Sequence, residues 1–169
     1  YALFTSTTPF RSRRMVAGLV DAFGVPFKGD PECKSFPTPT AIASLPLSEF
    51  CGKVRLGYRA AYVHQLALQF AQGDLKEADF TDAGAPSAEL GRRLLGIRGI
   101  GAYAAASMLM LLGRYDFLPV DTVFQAFMAK KYFRGRQFAL PEALAVYDEW
   151  GQWKYLAYWF DMLLFDAQE

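Results

Sequence analysis

Apolar residues recur along this chain at every third or fourth position, the spacing of helices, rather than at every second one. Between Ser12 and Phe23, a stripe of Met15, Val16, Leu19, Val20 and Phe23 ends at Gly24 and Pro26. A polar, proline-rich segment runs from Lys28 to Pro39, and the stretch 24–38 is expected to be a linker or an ordered surface loop. Thr38-Pro39 opens a short helix through Leu45, because proline in a first turn forfeits no hydrogen bond. Pro46-Leu47-Ser48 breaks the chain and can start another. Tyr58 to Gln72 predicts a long helix with Tyr62, Val63, Leu66 and Phe70 on one face and Gly73 past its end. Ser87 is placed to cap Ala88–Leu95, whose Leu90, Leu94 and Leu95 face inward. Ala102–Leu112, Thr122–Phe133, Pro141–Trp150 and Lys154–Phe165 complete the set. The β-branched residues are scattered, so no strand pair is predicted. The expectation is an all-α fold of about eight helices joined by short connections.

Composition narrows the class. With 53% hydrophobic and 21% charged residues over 169 positions, the chain can bury about 70% of its unfolded surface and needs no staple. It is expected to form one domain over 1–169, in one body or two small lobes. No apolar run approaches the roughly 18 residues that span a bilayer, so no membrane partner is expected. Cys33, Cys51 and His64 are too few for a four-cysteine cluster or a zinc site, and reduced thiols fit a cytoplasmic or nuclear setting. His64, on a strong helix beside Gln65, is expected at the surface or half-buried. The first residue is Tyr1 within what looks like the inside of an element, so an upstream segment is expected; no signal peptide is visible. Net charge is only +1, which neither requires nor excludes nucleic acid. Two basic clusters stand out: Arg11, Arg13 and Arg14, then Lys130, Lys131, Arg134 and Arg136. Each can be a solvated helix end or a set of phosphate contacts.

The most informative stretch runs from Leu90 to Thr122. One helix ends, Ile97-Arg98-Gly99-Ile100-Gly101 turns the chain, and a second helix begins at once, so that 90–112 forms a hairpin. Glycines at 99 and 101 permit positive φ and remove side chains that would hold another backbone away. The amides of Gly99, Gly101 and the following first turn would then point outward together as an anion site. A dinucleotide loop would need a preceding strand, and here a helix precedes. Close packing of two helices is the other reading of the turn taken alone. Asp121 lies twenty residues after Gly101, enough for one helix and a short return beside the hairpin. Such an aspartate, just before Thr122 and an apolar run, is also an ordinary helix N-cap, and both roles can coexist.

Hairpin and acid together resemble the helix-hairpin-helix DNA glycosylases. There an L-P-G-[VI]-G hairpin is followed about twenty residues on by an aspartate in a V-D context. The corresponding residues here are Ile97-Arg98-Gly99-Ile100-Gly101 and Pro119-Val120-Asp121-Thr122. Leu56-Gly57-Tyr58-Arg59-Ala60-Ala61-Tyr62-Val63 and Trp153-Lys154-Tyr155-Leu156-Ala157 with Trp159 are similar to further family segments, so the likeness covers nearly the whole chain. It implies the family fold, with two lobes around a cleft. It also implies a monomeric enzyme acting on double-stranded DNA that carries a damaged base. No cofactor is implied, although a monovalent cation at the hairpin is compatible.

By this resemblance Asp121 is the catalytic carboxylate, stabilising an oxocarbenium-like sugar and orienting or deprotonating water. Arg98, Gly99, Gly101 and Tyr103 form the phosphate-binding hairpin. Bifunctional members carry a lysine two residues after the last hairpin glycine; Tyr103 stands there and cannot form an imine, which implies a monofunctional enzyme without lyase chemistry. Tyr103, with Tyr155 and Trp159 four apart on the last helix, would wall the base pocket. Aromatics at that spacing also suit a core, and Trp153 suits it better still. The loop that fills the space left by the flipped base corresponds to residues 5–10, offering Thr7 and Thr8 for intercalation. An aromatic pocket poor in fixed charge favours an alkylated purine such as 3-methyladenine. The alternatives are 8-oxoguanine, a mismatched base, or a non-catalytic helix-hairpin-helix DNA-binding module.

Overall fold

The apolar stripe of the first segment folds as α1 (Pro9–Phe23), with Leu19 buried in a core. The structure, a computed structural model, describes residues 9–166, so Thr7 and Thr8 lie outside the described residues. Gly24 closes α1 under a tight steric limit. A Cβ there would fall 2.4 Å from the Ser35 carbonyl oxygen and 2.5 Å from that of Val20, so only glycine lets the chain turn back.

After this turn the chain forms a two-stranded antiparallel ribbon, β1 (Pro26–Phe27) and β2 (Asp30–Lys34), which corrects the expectation of no strand pair. Its residues are exposed on nearly every position, so it carries no apolar alternation to betray it. The ribbon is held by its backbone and by Lys34 Nζ, which donates to the Asp21 carbonyl at 2.8 Å. Helices α2 (Pro39–Ala43), α3 (Leu47–Lys53) and α4 (Arg59–Gln72) follow, with the Thr38 hydroxyl accepting from the Ala41 amide as the proline start requires. Gly73 takes a left-handed conformation at the end of α4. A single turn, α5 (Ala78–Thr81), was not foreseen; it buries Phe80.

Leu19, Ile42, Phe50, Val54, Leu56, Ala60 and Val63 form the core of this first unit, which comprises residues 1–83 and 96–100. His64 is buried against it, deeper than the surface or half-buried position expected. Its Nε2 lies 2.7 Å from the Leu45 carbonyl and its ring packs against Phe50, so the polar edge is satisfied and burial is tolerated.

The second unit comprises residues 84–95 and 101–169. It contains α6 (Ser87–Leu95), α7 (Ala102–Leu111), α8 (Thr122–Lys131), α9 (Leu140–Ala145), a 3-10 stretch (Asp148–Trp153) and α10 (Lys154–Asp166). The expected Pro141–Trp150 helix is shorter: α9 stops at Ala145, and the 3-10 stretch that follows is kinked at Gly151, with φ 50 and ψ −117. Trp153 consequently falls outside the core. It is half-exposed and stacked on Tyr115, which corrects the expectation that it is buried. Phe124, Phe127, Met128, Phe133, Tyr147 and Tyr158 make this unit's core, with edge-to-face ring pairs throughout.

Asp161, in the apolar middle of α10, is the polar centre beside that core. Its Oδ2 accepts from the hydroxyls of Tyr132 at 2.5 Å and Tyr147 at 2.7 Å, and its Oδ1 pairs with Lys131. Burial would raise its pKa, but the bonds from Lys131, Tyr132 and Tyr147 outweigh that and hold the carboxyl below its usual range. Burial and the bond to Asp161 push the Tyr132 hydroxyl up to about 12, and Tyr147 is raised further by the same causes. The folded state therefore keeps tyrosine protons that the unfolded chain releases near pH 10, so stability should fall as pH rises from about 10 through 12. On the acid side the depressed Asp161 contribution is present above about pH 4 and should be lost as pH falls below it. Urea midpoints across pH should show both limbs. Tyr132→Phe with Tyr147→Phe should flatten the alkaline one; an unaltered limb would remove this network as its cause.

Candidate functional site

The hairpin is built from α6 and α7, which pack on each other, α6 burying Leu90, Gly91 and Leu94 and α7 burying Ala104, Ala105, Ala106 and Leu109. Gly91 permits close approach: a Cβ there would sit 3.5 Å from Leu109 Cδ1. Ile97 and Ile100 are buried, and the turn is closed by the Ile100 amide bonding the Ile97 carbonyl at 3.0 Å. Gly99 adopts φ 93, as the glycine pattern requires. Gly101 does not: it has φ −95 and ψ 179 and acts as the N-cap of α7 without a side chain to do the capping. The first helical bond of α7 runs from the Ala105 amide to the Gly101 carbonyl at 2.9 Å. The amides of Ala102, Tyr103 and Ala104 therefore precede the ladder, as those of any helix start do. Gly101 and Ala102 are exposed, and a Cβ on Gly101 would meet nothing within 4 Å. A bare, open helix start of this kind accepts an anion through backbone donors alone. Arg98 is exposed, its guanidinium 5.5 Å from the centre of the Tyr62 ring.

Asp121 caps α8, the helix that follows α7. Its φ of −138 and ψ of −171 are extended, and its Oδ1 accepts from the Phe124 amide at 2.7 Å. The preceding Leu118-Pro119-Val120 packs in part on the second core, with Pro119 buried, so the residue entering α8 is anchored from both sides. Asp121 itself is half-buried, and among the described residues no second donor engages its other oxygen.

Tyr155, the second residue of α10, is nearly fully buried, and its backbone amide bonds the Tyr115 carbonyl at 2.8 Å. Burial raises its hydroxyl pKa first, and the charges of Tyr103 and Asp121 raise it further. Those three sequence-selected residues, from α7, the start of α8 and α10, thus share one electrostatic neighbourhood. Trp159 is less involved: it is 43% exposed, and among the described residues its ring stacks on no other. Among the described residues no group of three or more His, Cys, Asp and Glu could hold a metal ion.

Sequence reasoning missed the Lys131–Tyr132–Tyr147–Asp161 network and the Tyr115–Trp153 stack. The network had a legible signal, since one carboxylate within the apolar run of α10 demands partners. The stack had none, because its two rings are 38 positions apart and in irregular segments.

This arrangement of helices has known counterparts in solved structures. The chain has the helix-hairpin-helix DNA glycosylase fold. A Clostridium acetobutylicum 8-oxoguanine glycosylase/lyase, in complex with double-stranded DNA containing cytosine opposite 8-oxoG, is similar with a TM-score of 0.80 and 15% identity, over 99% of this chain and 58% of that one. MBOgg1 in complex with a low-affinity DNA ligand has a TM-score of 0.80 and 19% identity, over 93% and 54%. The 3-methyladenine DNA-glycosylase from Archaeoglobus fulgidus has a TM-score of 0.72 and 18% identity, over 98% and 56%. The chain thus spans a little over half the length of these proteins. No family profile and no curated protein sequence matches it.

The two hairpin glycines should respond differently to alanine. Gly99→Ala forces an L residue into the left-handed region and should cost about 1–2 kcal/mol in urea unfolding. Gly101→Ala has an ordinary φ and open space and should leave stability within about 0.5 kcal/mol. Equal destabilisation by both would contradict the turn geometry described.

Proposed function

We propose that this chain is the core of a monofunctional DNA base-excision glycosylase that hydrolyses the N-glycosidic bond of an extruded damaged base. The observation that carries this reading is the placement of Asp121. One carboxylate oxygen is spent on the Phe124 amide, which locks the side chain, and the other has no protein donor among the described residues. That free oxygen suits a water molecule or a cationic sugar. In the step proposed, the C1′–N bond breaks and its electron pair leaves with the base. Water oxygen then forms the new bond to C1′, and the water proton passes to the Asp121 carboxylate or on to solvent. A fixed carboxylate stabilises the oxocarbenium character developed on the way. The bare amides of α7 would hold a DNA phosphate in the same unit, setting the duplex in register without reading its sequence.

Tyr103 supports the monofunctional form, since a phenol forms no imine with the sugar and leaves water as the nucleophile. Tyr103 and Tyr155 supply ring surface near Asp121, with Trp159 as a further wall on the outer part of α10. Electron-rich rings without a fixed charge favour an electron-poor, cationic alkylated purine such as 3-methyladenine. The second reading of the substrate is an oxidised purine. It is favoured by the higher TM-score to the 8-oxoguanine glycosylase/lyase than to the 3-methyladenine DNA-glycosylase. A plain DNA-binding module remains the rival from another class, because a bare hairpin grips phosphate with or without chemistry beside it.

A panel of duplexes, each with one defined lesion, should give free base and an alkali-labile abasic site from one of them. Asp121→Asn keeps a good capping side chain, so the fold and duplex binding should persist while base release falls by about 10²–10⁴-fold. Undiminished release by that variant, or no release from any lesion by the parent chain, would sink the enzyme reading. Borohydride added during turnover should trap no covalent protein–DNA adduct; an efficient adduct would overturn the monofunctional assignment.

A further inference from the structure

A second charged feature lies in the first unit, among residues other than those of the hairpin. An open cleft of about 570 Å³ is lined on one side by Arg11, Arg14, Met15, Ala17, Gly18 and Asp21 of α1. On the other side it is lined by Lys53, Val54 and Arg55, at and just past the end of α3. Arg11, Arg14 and Gly18 recur at helical spacing, so they lie along one face of α1. Four cations face a single carboxylate there, a local excess of three positive charges in a chain whose whole net charge is +1. Among the described residues none of these four is held by an ion pair or a side-chain hydrogen bond.

The other basic cluster shows that this is a choice. Lys131 pairs with Asp161, Arg136 pairs with Glu142 at 3.0 Å and lies over the Phe133 ring, and Lys130 lies over the Phe165 ring. Lys130, Lys131 and Arg136 are thus engaged internally, whereas Arg11, Arg14, Lys53 and Arg55 are not. The cleft also has a bare floor. Gly18 sits in the middle of α1, where glycine costs about 0.5–1 kcal/mol against alanine, and a Cβ there would meet nothing within 4 Å. No packing requirement explains the missing side chain; the space it leaves is part of the cleft.

We infer that this cleft is a second phosphate-binding site, taking the phosphodiester backbone of a nucleic-acid strand between α1 and the Lys53–Arg55 segment. The inference rests on the DNA-binding part of the proposed function but not on its chemistry. Arg11 and Arg14, one helical turn apart on α1, share an open trough with Lys53 and Arg55, two residues apart on the segment that lines it with them. That suits a line of charges, and planar forks bind phosphate oxygens in pairs. A site for a single free phosphate would instead close around it with convergent donors, as the amides of a helix start do.

The test is the salt dependence of binding to an undamaged duplex, measured on the whole chain. Each protein–phosphate contact adds about 0.9 to the magnitude of the slope of log affinity against log salt. Arg14→Ala/Lys53→Ala/Arg55→Ala should lower that magnitude by about 2–3 and weaken binding at least about tenfold near physiological salt. All three side chains are exposed, so thermal unfolding should be unaltered. A matched removal of three exposed cations elsewhere, Lys28→Ala/Lys76→Ala/Arg92→Ala, should move the slope much less; equal changes in the two triples would reduce the effect to general charge and overturn the site. Gly18→Leu retains every charge, favours the helix and fills the floor, so it should weaken binding at unchanged or higher melting temperature. Binding as tight as that of the parent chain would show that no strand enters. Inorganic phosphate supplies the remaining arm. If it raises the melting temperature of the parent chain but not of the triple variant, while the duplex slope is the same in both, the cleft takes a free anion and the assignment to a strand fails. These outcomes are read without any lesion, so an absence of base release would leave them decisive.

Discussion

The amides of a helix's first turn find no acceptor within the helix, and this chain treats two such starts in opposite ways. At α7 the N-cap is Gly101, which has no side chain to offer, and the start stays open to solvent. At α8 the N-cap is Asp121, whose oxygen meets the Phe124 amide at 2.7 Å. One start is left bare, and the other is filled by an acid that is thereby immobilised. The proposed chemistry depends on that contrast. A capped carboxylate has lost its rotational freedom through folding itself, so no further ordering is required of it when a substrate arrives.

The distribution of cations follows a similar division. Beside α8, Lys130, Lys131 and Arg136 are matched with Asp161, Glu142 and the faces of phenylalanines, and they serve the second unit's own cohesion. Along α1, arginines remain unmatched, and a glycine in mid-helix leaves open space between them and the end of α3. Net charge conceals this, because matched and unmatched cations count alike. What distinguishes a polyanion-binding face from an ordinary solvated one is whether neighbouring acids are withheld, and here only Asp21 is present.

Most of the architecture was legible because helices dominate and their signals are local. Thr38-Pro39, Gly73, Ser87 and Asp121 all stand at or next to helix ends where short-range chemistry puts them. The β ribbon was not legible, since it is held by backbone bonds between exposed residues and needs no pattern of side chains. His64 and Trp153 were misplaced for a shared reason: burial depends on what lies across the fold. The Leu45 carbonyl satisfies the histidine, and the kink at Gly151 places the tryptophan against Tyr115. Around the candidate site, the hairpin and acid could be read from spacing, but Gly101 could not. Its composition suggested positive φ, whereas the fold uses its smallness at an ordinary φ. That Tyr155 is buried and Trp159 exposed, on the same helix, likewise follows from tertiary neighbours rather than from periodicity.

The Asp161 seat has a consequence for handling the molecule. Its lysine and carboxylate are both less than a third exposed, and the lysine is ringed by Phe127, Tyr132 and Phe165. At molar ionic strength the Debye length shrinks to about 3 Å, which neutralises attraction between solvent-facing charges but reaches a sheltered pair much less. Concentrated brine would thus release a polyanion held as proposed and leave the second unit's polar anchor standing, so elution and denaturation would be set by different ions in different places.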